Sequence, residues 1–274
     1  MNKKIFIFFI LVSYTVLSVA QETSYKTVLD IPYYDEITRQ QNNSINERCN
    51  LDIYYPTNVK RFATIVWFHG GGLTAGNKEI PEALKNKDLC VIGVNYRLSP
   101  QAKAPDYIED AAAAVAWVFE NIEEFGGDRS KVFVSGHSAG GYLTMMIGLN
   151  KEYLAKYKID ADSIAGLIPL SGQTITHFNI REGYGMKDTQ PFVDEFAPLY
   201  HVRNSAPPLL LITGDRELEM LGRYEENAYL ARMMKIVGHK ETRLIEIQGY
   251  GHDMTFPAFP LLIREVDQVL QLKK

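Results

Sequence analysis

The chain has 274 residues, 46% of them hydrophobic, 23% charged and 11% aromatic, with only two cysteines. That apolar content excludes a disordered chain, the cysteine count excludes a disulfide scaffold, and the length fits one large α/β domain or two smaller ones. A formal net charge of -4 argues against nucleic acid as a partner, because surfaces that bind duplexes are basic.

The first twenty residues read as an export signal. Met1-Asn2-Lys3-Lys4 is a short positive region, Ile5 to Val16 is apolar apart from Ser13, Tyr14 and Thr15, and Ser18-Val19-Ala20 places small residues at a cleavage point. Residues 1–20 are therefore expected to be removed and residues 21–274 to form the mature chain, secreted or periplasmic. No cysteine for lipid attachment follows the apolar run, which is itself short for a full membrane span. No second long apolar run occurs, so no membrane span is expected in the mature chain. Export makes a Cys49–Cys90 disulfide available. Cys90, however, lies in the apolar run Leu89 to Val94, where a free thiol packs as a small hydrophobe.

Past a polar N-terminal stretch, strands and helices alternate. Leu51 to Tyr55 alternates as a half-exposed strand, whereas Ala63–Phe68 and Cys90–Tyr96 are near-continuous apolar runs, as in strands covered on both faces. Ile80 to Lys87 is a predicted short helix between them, and Asp106 to Phe125 a long amphipathic one opened by Pro105 and closed by Gly126-Gly127. Further strands are predicted at Lys131–Ser135, Ile164–Leu170, Leu209–Thr213 and Thr242–Ile247, with helices at Ala139–Leu149, Glu225–Val237 and Ala258–Leu272. This order predicts one α/β domain, a mainly parallel sheet with helices on both faces and its site at the carboxyl ends of the strands. Residues 173–207 lack a clear period and hold several aromatics. They are a candidate lid insertion.

Gly136-His137-Ser138-Ala139-Gly140 fits G-x-S-x-G, directly after a predicted strand and at the start of a helix, the context of a nucleophile elbow. Ser138 is the candidate nucleophile. His69-Gly70-Gly71-Gly72 follows another strand end. Backbone N–H groups of Gly71 and Gly72, with that of Ala139, can form an oxyanion hole. The loop matches no phosphate-binding pattern, and His69 reads as a residue that fixes the loop. His252, in the Gly-rich loop after the last strand, is the candidate base that activates the serine. His137 is expected to point elsewhere, His177 and His201 to line the lid, and His239 to face solvent at a helix end. No histidine pair has metal-ligand spacing, so neither metal nor other cofactor is indicated. The strand at Leu209–Thr213 ends in Gly214-Asp215-Arg216-Glu217, where either carboxylate can orient the imidazole. The adjacent Asp253 is discounted.

With these motifs the chain resembles the α/β-hydrolase carboxylesterases of the hormone-sensitive-lipase-like type, including bacterial feruloyl and acetyl esterases. The resemblance runs from about Leu51 to the C-terminus and is carried by His69-Gly70-Gly71-Gly72, Tyr96-Arg97-Leu98-Ser99-Pro100, Gly127 to Val132, Gly136 to Gly140 and Gly251-His252. It implies an eight-stranded sheet and a triad of Ser138, His252 and an acid. The family spacing places that acid at Glu217, with Asp215 as the rival. Little sequence precedes the first core strand, so no N-terminal helical cap is expected, and residues 173–207 are the candidate substitute. Asn95 stands where relatives often have aspartate. The expected activity is hydrolysis of a small-molecule or carbohydrate-linked ester, an acetyl or feruloyl group on plant polysaccharide being one such substrate. The alternatives are amide hydrolysis of the arylformamidase type and a catalytically inactive binding protein on the same fold. Oligomeric state is not legible.

Overall fold

The computed structural model describes residues 22–272; the expected export segment lies outside them. Eight strands are present, β1 (Tyr25–Pro32), β2 (Asn50–Pro56), β3 (Phe62–Phe68), β4 (Cys90–Val94), β5 (Gly127–His137), β6 (Gly166–Leu170), β7 (Leu209–Gly214) and β8 (Thr242–Ile247). They form one sheet in the order β1-β2-β4-β3-β5-β6-β7-β8. The β1–β2 and β2–β4 pairs are antiparallel and every other pair is parallel. The helices are α1 (Glu36–Gln41), α2 (Asn43–Arg48), α3 (Asp106–Asn121), α4 (Ala139–Leu149), α5 (Lys151–Ala155), α6 (Phe178–Gly183), α7 (Arg223–Ile236) and α8 (Thr255–Leu272).

The sheet is covered on both faces, as continuous apolar strands require. Along β3 every residue is buried, with Phe62, Val66 and Phe68 joining the core beneath α3, α4 and α7. Ala63, Ile65 and Trp67 point into the second core beneath α8, where Trp67 packs on Phe259. The central helix α4 is buried at every position, so its apolar sequence carries no polar face.

One stretch carries no assignment from sequence, and three expectations about elements need correction. The polar N-terminal stretch forms the edge strand β1 and two short helices. Its side chains are mostly exposed, so no apolar run marks the strand. Ile80–Lys87 is not a helix. Only Glu82–Leu84 makes a 3-10 turn, with one buried apolar residue, and positive φ at Asn86 and Asp88 ends it. The helix predicted from Asp106 stops at Asn121 and passes through successive turns into Gly127. There β5 already begins, four residues before its apolar part.

Cys49 and Cys90 are free and buried, so the available disulfide is not formed. Behind the sheet ends, Arg97 is buried against the fully buried Asp110. Its Nη2 lies 2.8 Å from Oδ1, and its backbone N–H donates to Oδ2 at 2.9 Å. The Tyr96-Arg97-Leu98-Ser99-Pro100 motif thereby ties the loop after β4 to α3. Asn95 accepts the Lys78 N–H at 2.6 Å and serves as a loop tie.

Candidate active site

Ser138 sits between β5 and α4 at φ 56° and ψ -114°, a region that non-glycine residues seldom adopt. The turn is tight because strand and helix nearly touch. A Cβ on Gly140 would lie 2.0 Å from the carbonyl oxygen of Phe68. The strained backbone is anchored by the Ser138 N–H, which donates to Leu170 O at 2.9 Å. Ser138 itself is buried, at the N-terminus of α4.

His252 reaches Ser138 across the sheet ends, its Nε2 lying 2.9 Å from Oγ. Its Nδ1 faces Glu219 Oε1 at 2.6 Å. The acid beside the imidazole is therefore Glu219, and the expectation of Glu217 or Asp215 is corrected. Glu217 is exposed. Asp215 accepts the N–H groups of Glu217 at 3.0 Å and Gly249 at 2.9 Å, tying the acid loop to the histidine loop. After β7 the chain makes one helical turn in which the N–H groups of Leu218 and Glu219 both bond Asp215 O. That turn carries Glu219 inward and leaves Glu217 outside. Asp253 is exposed, as its dismissal required.

Both oxygens of Glu219 are engaged. Oε1 also accepts the Met220 N–H at 2.9 Å, and Oε2 accepts the Ser171 hydroxyl at 2.6 Å and the Gly214 N–H at 3.2 Å. Burial alone would raise this carboxyl. His252, Ser171 and the Met220 N–H outweigh it and hold the group down at about 2. Glu219 is thus a fully buried carboxylate, poised to stabilise an imidazolium. Ser171, which sequence reasoning missed, sits at φ 48° with its hydroxyl also 3.0 Å from His252 Nδ1, and its carbonyl accepts from Arg223. No motif marks it; only its place just past β6 could have.

The His69-Gly70-Gly71-Gly72 loop lies beside the serine. A Cβ on Gly70 would come within 3.4 Å of Ser138 Cβ. Gly71 has φ 111°, and its N–H and that of Gly72 have no protein acceptor among the described residues. Ala139 is the first residue of α4, where N–H groups lack intrahelical partners. Three backbone donors of the glycine loop and the α4 N-terminus are thus without competing acceptors among the described residues. His69 fixes the loop as expected, with its Nδ1 on Gly70 O at 2.6 Å and its ring stacked on Tyr96.

The remaining histidines are placed as follows. His137 lies against the His252 ring, with its Nε2 on the His252 carbonyl at 2.8 Å, so it supports the histidine loop. Burial, then the neighbouring His252, lowers it to about 4. His177 is buried at the N-cap of α6, and His201 bonds Glu195 O in the same segment. His239 does not face solvent. It is buried between Thr242 Oγ1 and Ala206 O. The 173–207 segment borders the glycine loop. Phe178 reaches so far over the glycine loop that a Cβ on Gly72 would lie 2.9 Å from its Cζ. A cavity of about 1290 Å³ is lined by residues including Asp128, Lys131 and Asp160 and by no member of the Ser138–His252–Glu219 array.

A sheet of this order, with a strained serine after its fifth strand and the histidine after its eighth, defines an α/β-hydrolase. The BD-FAE family model matches residues 51–221, more than half the chain, and the chain belongs to the BD-FAE family. Among curated relatives, esterase LipC of Mycobacterium tuberculosis is 25% identical over 209 residues, covering 68% of this chain and 50% of LipC. The carboxylic ester hydrolase LipN of the same organism is 37% identical over 111 residues, covering 38% of this chain and 30% of LipN. The chain thus spans half or less of the length of these relatives. Among solved structures, a truncated carbohydrate esterase from gut microbiota superposes with a TM-score of 0.72 at 20% identity, covering 91% of this chain and 98% of that one. Butyrate-bound Est2, an esterase of Thermogutta terrifontis, superposes with a TM-score of 0.63 at 22% identity, covering 81% and 88%.

Proposed function

We propose that this protein is a serine carboxylic ester hydrolase that works through an acyl-enzyme on Ser138. The observation that carries the reading is the continuous array of Ser138 Oγ, His252 Nε2 at 2.9 Å and Glu219 at 2.6 Å behind it. Ser138 Oγ attacks the ester carbonyl carbon while His252 Nε2 takes its proton. The carbonyl oxygen becomes an oxyanion facing the N–H groups of Gly71, Gly72 and Ala139. The C–O bond to the alcohol then breaks, and His252 returns its proton to the departing oxygen. Water, deprotonated by His252, cleaves the acyl-Ser138 ester, releasing the acid and restoring the serine. Glu219 stays ionised throughout and stabilises the imidazolium. The names of the relatives, esterases among the curated proteins and among the solved structures, support this chemistry.

The protein is exported, and its substrate is an acetyl or feruloyl ester on plant polysaccharide. The layout of residues 1–20 supports export, and the carbohydrate esterase among the structural neighbours supports the substrate. Hydrolysis of p-nitrophenyl acetate by wild-type protein and its loss in Ser138→Ala test the reaction. Turnover of N-formylkynurenine in place of the ester would instead favour an amidohydrolase. An exported chain that begins at Gln21 by intact mass tests the signal, and retention of Met1 would oppose it.

A further inference from the structure

A cavity of about 530 Å³ lies between the 173–207 segment and the acid loop. Two of its lining residues belong to the reaction centre's surroundings. Phe178 overhangs Gly72, and Met220 follows Glu219 and donates its N–H to that carboxylate. The volume suits a sugar or phenyl ring.

Two arginines line this cavity, and each is only 2% exposed. Arg223 has an ionic partner, with Nε 3.3 Å from Glu226 Oε1. Glu226 is then fully engaged, since its other oxygen accepts the N–H groups of Thr174 and Ile175 at 2.7 and 3.0 Å. Arg181 has no ion pair among the described residues. Its Nε donates to Thr176 O at 2.9 Å and its Nη1 to Asp188 O at 2.8 Å and to Gln190 O, all backbone carbonyls. Its Nη2 meets no protein acceptor among the described residues. Asp188 and Glu225 also line the cavity, both exposed; Glu226 and Asp188 favour the Arg181 charge from a distance, but no carboxylate among the described residues forms an ion pair with it.

A buried cation costs free energy unless it is paired, and the planar guanidinium fork matches a carboxylate. The apolar walls, Phe178 and Met220, would hold a carbon skeleton while Arg181 holds its anionic end. From this we infer that the enzyme prefers esters in which one half carries a free carboxylate, bound in this cavity by Arg181. The inference rests on the ester-hydrolase reading for its catalytic consequence, though not for binding.

Two matched substrate pairs distinguish the half that carries the charge. On the acyl side these are p-nitrophenyl hydrogen glutarate and p-nitrophenyl pentanoate. On the alcohol side they are 4-acetoxybenzoate and its methyl ester. In one pair the anionic member should have a kcat/KM about ten- to hundredfold higher, the range expected for hydrogen bonds to a charged group. Arg181→Gln should collapse that ratio to one or below, and Arg181→Lys should retain part of it. A preference for the neutral member in both pairs, or a ratio untouched by Arg181→Gln, would overturn the inference. Because Arg181 also clamps its own segment, calorimetric titration of wild-type protein with glutarate and with benzoate supplies a readout that needs no variant and no turnover. Saturable binding of either anion supports the site, and binding of neither overturns it. Failure to hydrolyse any of the four esters, with anion binding intact, would fault the reaction assigned to Ser138 and leave the site standing.

Discussion

Glu219 carries the largest functional consequence of a single side chain beside Ser138 and His252. Among the described residues it is the one carboxylate that touches the imidazole, and three other donors complete its shell. Glu219→Gln would present an amide where His252 Nδ1–H needs an acceptor, and kcat should fall about 10³–10⁴-fold. Glu217→Gln, at an exposed position, should leave kcat within about twofold, the range of a surface change. Asp215→Asn keeps one of its two acceptors and should fall between them. Steady-state kinetics on p-nitrophenyl acetate ranks the three, and a large loss in Glu217→Gln with a small one in Glu219→Gln would reverse the assignment. The sequence offers Asp215 and Glu217 as candidates, family spacing favours Glu217, and Glu219 is passed over. Which one faces inward depends on the single turn closed at Asp215 O, a detail of hydrogen bonding that no spacing rule encodes. Ser138 and His252 were legible because each is bound to a glycine-rich turn at a strand end.

The β5–α4 junction shows how an element pair fixes chemistry. Gly140 faces Phe68 O so closely that any side chain must displace β3 or tilt α4. Gly140→Ala should destabilise the fold by about 3 kcal/mol or more, at the upper end for overpacking. Urea unfolding would show this as a lower midpoint at unchanged slope, and a loss below about 0.5 kcal/mol would mean the junction is looser than described. The central strands and α4 were readable because burial on every side leaves continuous apolar runs. By contrast β1 is an edge strand whose side chains are mostly exposed, so its sequence resembles a loop. The 80–87 region failed for the opposite reason. Its helix-forming residues lose to the positive φ values needed at Asn86 and Asp88 to turn into β4.

At the scale of the whole molecule, two largely buried imidazoles near Ser138 tie stability to pH. Burial lowers both His69 and His137 to about 4, with His252 adding to the effect on His137. An unfolded histidine titrates near 6.5, so between about pH 6.5 and 4 the unfolded chain binds protons that the folded chain refuses. Stability should therefore fall across that window and be insensitive to these groups above it. Glu219 acts in the same direction further down, because its carboxyl is held at about 2 and its contribution is lost below the ordinary glutamate range. Melting temperatures at pH 7, 5.5 and 4 should decrease in that order. A melting temperature that holds or rises on acidification would contradict the buried neutral state of the two imidazoles.

The most direct measurement is covalent labelling of the folded protein by a fluorophosphonate, followed by intact mass and peptide mapping. Phosphonylation requires an activated serine and an oxyanion site together, whatever the natural ester. One adduct per chain, located on Ser138, absent in Ser138→Ala and strongly slowed in Glu219→Gln, is the predicted result. A folded protein that stays unlabelled, or one labelled at another serine, would contradict it.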